Sequence, residues 1–399
     1  MYRVDCNGEQ KALKWYKPSA LKIPDKFYEN LRSNIEAGSP TDAFLWPQYL
    51  TKQMRGSFGY VMRLRPSGYE NVARFLKAKV RFSDEAACVN AALKMVNAFK
   101  ELHQKGYSYQ DINDGNFFID PKTGDILVCD NDNVAEYGAT FGIAGKPGYV
   151  APEIVLGENA PDIFTDRYSM AVMLFLLMIL ARPFEGKMTA VPCLTEKLER
   201  KFFGERPVFI FDPENDENRP VRGVHKNAEV LWPTYPKYIQ DAFIQTFTVG
   251  LKNRDERVTD NQWEALLLRL RDETLICPQC DWGVFYNVDD IEHFCLNPKC
   301  GFKFPNLLIL KGARYKLVIH PGAKLYASRT KDSDGIDELS GEVVKNKNNP
   351  SLWGIRNLSD STWHEVTPDG KQKAVSKGGI IQALRGIEIH FENGIAVIE

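Results

Sequence analysis

No apolar run in this 399-residue sequence is longer than the 12 residues from Met170 to Ala181. That is too short to span a bilayer and reads as a buried helix. The N-terminus lacks the basic-then-apolar pattern of a secretion signal. Net charge is nearly absent as well: 51 Lys and Arg against 52 Asp and Glu leave −1. A balance so close to zero favours neither nucleic acid nor a membrane surface as partner. Cysteine is sparse outside one window, with Cys6, Cys88, Cys129 and Cys193 scattered and four more between Cys277 and Cys300. Such clustering favours a metal site over disulfides and points to a reducing, cytoplasmic setting. Internal repeats and long low-complexity tracts are also missing. What remains is ordinary globular composition, 44% hydrophobic and 26% charged, in a chain long enough for two or three domains.

The chain opens with strand-like segments, Tyr2 to Cys6 and Lys11 to Tyr16, joined across the turn signal Asn7-Gly8. A helix is predicted from about Asp25 to Ala37, between Pro24 and Gly38, and a strand over Phe58 to Leu64. Apolar residues recur at helical spacing from Phe82 to Gln104, and Asp120 to Gly124 reads as a β-turn. From Thr165 to about Arg271 the pattern is mainly helical, interrupted by a polar insert around Phe211 to Pro233. Strands first and helices after predict an α+β, two-lobed arrangement. From Leu307 onward short strands alternate with Gly, Asn, Asp and Ser turns, which predicts an all-β domain.

The most informative segment is Tyr109-Gln110-Asp111-Ile112-Asn113-Asp114-Gly115-Asn116, followed by an apolar strand that ends on Asp130. Phosphoryl transfer needs a carboxylate to orient the attacking hydroxyl and accept its proton, and oxygen ligands to hold Mg2+ against the phosphates. Asp111 suits the base, and Asn116 and Asp130 suit the metal ligands. A polar turn beside an ordinary buried Asp is the competing reading of so short a pattern.

Further segments carry a resemblance to protein kinases of the eukaryotic-like Ser/Thr type. Gly145-Lys146-Pro147-Gly148-Tyr149-Val150-Ala151-Pro152-Glu153 resembles the end of the kinase activation loop. Asp166 resembles the Asp that ties down the catalytic loop, and Arg257 the Arg that pairs with the loop-closing Glu, here Glu153. Ala12-Leu13-Lys14 resembles the strand whose Lys contacts the α- and β-phosphates. The resemblance implies Glu29 as the ion-pair partner of Lys14, with Glu36 as a rival. It also implies Met62 at the back of the adenine pocket, unless Met62 is core filler. It further implies a kinase domain over about residues 1–272, with ATP and Mg2+ as cofactors and a protein substrate.

Four departures from that pattern matter. No glycine-rich loop precedes Lys14, so either a segment is missing or the phosphate lid is absent. Gln110 stands where many kinases have Arg, which on this reading argues against control by activation-loop phosphorylation. The metal-binding triplet is Asp130-Asn131-Asp132, in which Asp132 is an extra ligand or, preferably, a turn-stabilising side chain. Asn113 and Lys146 stand where the family has Lys and Thr, so Lys146 is expected to return a cation to the catalytic site beside Asp111, against the reading of a solvated loop residue.

Cys277-Pro278-Gln279-Cys280 and Cys295-Leu296-Asn297-Pro298-Lys299-Cys300 have the spacing of two zinc knuckles, predicting a structural Zn2+ module over 273–305. A redox dithiol at Cys277 and Cys280 leaves the second pair unexplained, and His293 is a spare ligand candidate. Residues 306–399 resemble a forkhead-associated β-sandwich in degenerate, protein-binding form, with Arg329 or Arg356 as candidates for reading phosphothreonine. The module and tail give the chain a closer likeness to bacterial kinases of the tellurite-resistance-associated phosphorylation triad. That likeness implies bacterial signalling with a phosphatase and a von Willebrand-type partner. A pseudokinase scaffold and a small-molecule phosphotransferase of the aminoglycoside type are the competing functions.

Overall fold

The computed structural model describes residues 1–399 except 18, 20, 137, 140–144 and 332–334. By its internal contacts the chain divides into two compact units, Met1–Leu266 and Leu267–Glu399.

The first unit begins with β1 (Tyr2–Cys6) and β2 (Glu9–Tyr16), an antiparallel hairpin in which Asn7 and Gly8 both take positive φ, 56° and 84°. That pair of left-handed residues is what a two-residue hairpin turn demands, and Asn-Gly supplies it at little steric cost. With β3 (Pro47–Leu50) and β4 (Phe58–Arg63) these strands form a four-stranded sheet ordered β1-β2-β4-β3. The helix α1 (Pro24–Ala37) buries Phe27, Leu31 and Asn34, and the two apolar residues join a core with Ala12, Tyr16, Leu45, Phe58, Tyr60 and Met62.

After β5 (Glu70–Asn71) and α2 (Val72–Leu76), the long helix α3 (Glu85–Gln104) starts on Asp84, whose carboxylate accepts the Ala87 amide at 2.8 Å. β6 (Tyr107–Ser108) leads into the loop carrying Asp111, and β7 (Phe117–Ile119) and β8 (Ile126–Val128) form the antiparallel hairpin behind it. The hairpin turn packs so closely on α3 that a Cβ at Gly124 would lie 2.1 Å from the Ala87 carbonyl. After β9 (Ala135–Glu136) and α4 (Pro152–Leu156) comes α5 (Ile163–Ile179), apolar almost all round and buried from Met170 to Ile179. A helix apolar on every face is a core helix, and no described helix is long and apolar enough to cross a membrane. The region read as a polar insert contains a short helix, Lys226–Leu231.

In the second unit, β10 (Thr274–Ile276) and β11 (Gly283–Phe285) form a hairpin beside the four clustered cysteines. Two all-β sheets follow. The first joins β12 (Ile309–Lys311), β13 (Lys316–Val318), β17 (Trp363–Val366), β18 (Gln372–Val375), β20 (Glu388–His390) and β21 (Ile395–Ile398). The second joins β14 (Lys324–Tyr326), β15 (Leu339–Lys345), β16 (Trp353–Asn357) and β19 (Ile380–Gln382). One apolar core, centred on Trp363, Leu310, Leu325, Ile355, Ile381 and Ile389, draws residues from both sheets.

Candidate active site

The loop around Asp111 is fixed from behind. Asp166, on the first turn of α5 and 2% exposed, accepts the backbone amides of Tyr109 at 2.5 Å and Gln110 at 3.0 Å. Buried carboxylates demand such donors, and here the demand orients the loop. Gln110 sits at φ 70°, and the Tyr109 hydroxyl donates to the Cys129 carbonyl. Asp111 then receives the side-chain amides of Asn113 at 3.0 Å and Asn116 at 3.2 Å. Burial raises the Asp111 carboxyl above its ordinary value, although the hydrogen bonds from Asn116 and Asn113 pull the other way.

The β7–β8 hairpin ends beside this loop, because the Cys129 amide donates to the Asn116 carbonyl at 2.8 Å. It therefore brings Asp130 next to the Asp111–Asn116 segment. Asp130 takes a left-handed φ of 54°, a conformation that costs a non-glycine residue and is tolerated where the surroundings hold it.

Lys14 reaches this corner from β2, but not with the expected partner. Its ammonium lies 2.8 Å from Asp132 and 3.3 Å from Asp130. Glu29 instead pairs with Arg32 at 3.0 Å, with its side chain 60% exposed. The reason is helical phase. α1 turns Phe27, Leu31 and Asn34 inward, which leaves Glu29 and Glu36 on the solvent side. What α1 offers the site is neutral: Asn30 and Asn34 both donate to the Val134 carbonyl at 2.8 Å. Burial opposes the Lys14 charge, yet Asp132 and then Asp130 outweigh it and hold the ammonium above its ordinary value. Asp132 is thus more than a turn-stabilising side chain. Met62 lies buried in the core with Ala12, Leu127 and Cys129.

Lys146 does not meet Asp111. Its ammonium pairs with Asp114 at 2.7 Å and lies over the Tyr149 ring. Beyond the loop, Arg257 and Glu153 form a two-pronged ion pair at 2.8 and 2.9 Å, and the guanidinium holds the Glu153 carboxyl low against the push of burial. Gln110 donates to the Ala139 carbonyl at 2.7 Å and to the Ser108 hydroxyl at 3.1 Å, a neutral tether to the loop that follows β9.

One residue escaped the sequence reading. His103, buried at the end of α3, stands 3.3 Å from Asp166 through Nε2 and 2.9 Å from Asp260 through Nδ1. Burial opposes its charge, but hydrogen bonds to Asp166 and Asp260 raise the imidazole to about 9. The available signal was the polar residue interrupting the apolar face of α3 just before Gly106.

In the second unit the sulfur atoms of Cys277, Cys280, Cys295 and Cys300 lie within 4.8 Å of one another. Each knuckle closes on a left-handed residue, Asp281 at φ 55° and Gly301 at φ 67°. His293 stacks on Tyr286 with centroids 3.6 Å apart and takes no place in the cluster. Arg329 is held by buried Asp272 at 2.5 Å, and Arg356 by Glu342 at 2.7 Å.

A protein kinase domain model matches residues 58–217, a span that contains Asp111, Asn116, Asp130 and Glu153. Over that span the chain is similar to the protein kinase domain. Curated relatives that the chain resembles over part of its length are named as serine/threonine or cAMP-dependent protein kinases. Serine/threonine-protein kinase sck2 of Schizosaccharomyces pombe is 32% identical over 104 residues, covering 25% of this chain and 16% of that protein. A cAMP-dependent protein kinase, catalytic subunit-like, of Caenorhabditis briggsae is 27% identical over 148 residues, 37% of each chain. The cell cycle serine/threonine-protein kinase CDC5/MSD2 of Saccharomyces cerevisiae is 31% identical over 102 residues, covering 24% and 14%. The matches thus span between 14% and 37% of these relatives' lengths.

Proposed function

We propose that the chain is an ATP- and Mg2+-dependent protein kinase that transfers the γ-phosphate to Ser or Thr of a protein substrate. The observation that carries this reading is the catalytic loop itself: Asp166 clamps two loop amides while Asp111 and Asn116 face each other beside Asp130. In this reading Asp111 orients the attacking hydroxyl and takes its proton, a task for which a carboxyl raised by burial is suited. Asn116 spends its amide nitrogen on Asp111, which leaves its oxygen to join Asp130 as hard donors fit for Mg2+. Bound there, Mg2+ supplies neutralisation of phosphate charge. Lys14 is assigned to the α- and β-phosphates and Met62 to the back of the adenine pocket. Lys146, tethered to Asp114 three residues past Asp111, is proposed as the neighbouring cation of the site. The Arg257–Glu153 pair, its guanidinium buried, fastens the platform on which a peptide would dock.

The second unit extends the proposal. Four cysteine sulfurs within 4.8 Å of one another are the donor set of a structural zinc site, and among the described residues no His, Asp or Glu joins them. We assign 1–272 to the kinase, 273–305 to the zinc module and 306–399 to a forkhead-associated-like, protein-binding tail. Since Arg329 and Arg356 are both engaged by carboxylates, phosphothreonine reading is not part of this assignment. Bacterial signalling with a phosphatase and a von Willebrand-type partner is the setting implied by the likeness to the tellurite-resistance-associated kinases.

The test is phosphate transfer from labelled ATP with Mg2+ to the chain itself and to a generic protein substrate. Asp111→Ala is expected to lower incorporation by at least ~100-fold, and Asp130→Ala to do the same. Incorporation that persists in both variants would overturn the assignment. No incorporation by the unaltered chain would favour the scaffold reading instead.

A further inference from the structure

The Asp130-Asn131-Asp132 turn places two carboxylates on one lysine, and they differ in what surrounds them. Asp130 is partly open, its side chain 33% exposed, whereas the side chain of Asp132 is 3% exposed. A single oxygen of Asp132 takes both the Lys14 ammonium, at 2.8 Å, and the Tyr16 hydroxyl. Among the described residues its other oxygen is buried without a hydrogen-bond partner. Lys14 and Tyr16 alternate with Trp15 on β2, so both reach the same face of the sheet. Tyr16 is itself wedged against Phe27 of α1 and Phe58 of β4, with ring centroids 5.3 and 5.5 Å away.

The carboxylate is therefore fixed from two sides. It is short, it belongs to a single 3-10 turn over Asn131–Asn133, and its hydroxyl partner is locked by aromatic packing. A buried anion of this kind persists only with a cation and a donor against it. α1 contributes no charge to the corner: Asn30 and Asn34 grip the Val134 carbonyl at the end of the same turn.

We infer that Asp132 is the positioning residue for Lys14, so that the metal-binding turn itself, and not α1, supplies the carboxylate that aims this lysine at nucleotide phosphates. The inference rests on the kinase reading above. Asp130 is the accessible member of the pair and the one assigned to metal. Lys14 needs a second anion that stays in place when Asp130 is engaged, and Asp132 is built for that. It follows that the lysine and one Mg2+ ligand are set by a single turn, independently of any acidic residue on α1.

The test is a double-mutant cycle on Mg·ADP affinity, measured by calorimetry on the full chain, with adenosine as the phosphate-free control. Lys14→Met and the isosteric Asp132→Asn are each expected to weaken Mg·ADP by about tenfold, the worth of a charge-assisted hydrogen bond. The double variant should lose no more than either single one, while adenosine affinity stays the same in all of them. Tyr16→Phe keeps both charged groups and frees one side of the carboxylate, and should cost Mg·ADP about threefold. Glu29→Gln should leave Mg·ADP affinity unchanged. Losses that add in the double variant, an equal loss of adenosine, or a tenfold loss in Glu29→Gln would each overturn the inference. An unaltered chain that binds adenosine but not Mg·ADP would overturn the kinase reading together with this one. Normal Mg·ADP binding with additive losses would overturn this inference alone.

Discussion

At the scale of single residues, burial decides which charges matter. Arg257 has a side chain only 1% exposed, and Glu153 is the carboxylate that meets its guanidinium. Arg257→Met should destabilise the chain by about 3–5 kcal/mol in urea unfolding, because Glu153, its side chain only 12% exposed, is left as an unpaired, largely buried charge. A loss near zero would mean that Glu153 relaxes to water. His103 makes a pH prediction with a definite sign. Its folded-state value is about 9, above the ordinary unfolded value near 6.5. The stability it contributes is therefore fully present below about 6.5 and is lost as pH rises through about 9. Denaturant unfolding from pH 6 to pH 9.5 should show a larger fall for the unaltered chain than for His103→Gln, and parallel curves would remove His103 from the account. Asp111, Asn116 and Asp166 could be read from sequence because their geometry lies within one loop or in backbone amides. The partner of Lys14 could not. It depends on the phase of α1 and on Asp132, which arrives from 118 residues along the chain.

Elements were easier to read than side-chain pairings, for reasons visible at their ends. The first hairpin was legible in Asn7-Gly8 because few other residue pairs accept two positive φ angles in succession. Helix α1 runs from Pro24 to the residue before Gly38, close to the span its flanking proline and glycine predict. Helix α3 begins at Glu85, three residues after the start that apolar spacing suggested, because Asp84 caps it. That cap sets a prediction of modest size. Asp84→Ala should cost about 1 kcal/mol in urea unfolding, while Asp84→Ser or Asp84→Asn should cost much less. Equal losses in all three variants would show that the carboxylate acts through charge and not as a cap. The pairing of the later β-strands into two sheets was less legible, since β12 joins β21 across nearly the whole of the tail.

At the scale of the molecule, the four cysteines lie in a small apolar cluster of their own. Leu275, Val284, Tyr286 and Phe304 surround them, and that core continues into Val318 of the β-sheets. A hairpin of two three-residue strands cannot bury enough apolar surface to be stable alone, so a metal held by the thiolates would be a large share of its stability. If the metal is zinc, the purified chain should carry one equivalent, released by a strong chelator or by oxidation of the thiols. Hydrogen exchange then gives a test resolved along the chain. After metal removal, amides of Thr274–Ile276 and Gly283–Phe285 should lose protection by at least ~100-fold. Tyr109 and Gln110, whose amides are held by Asp166 within the first compact unit, should keep theirs. Loss of protection at both places would mean that the loop of Tyr109 and Gln110 depends on the cysteine cluster and that the chain unfolds as one unit. Protection unchanged at both would show that the thiol cluster is no structural metal site.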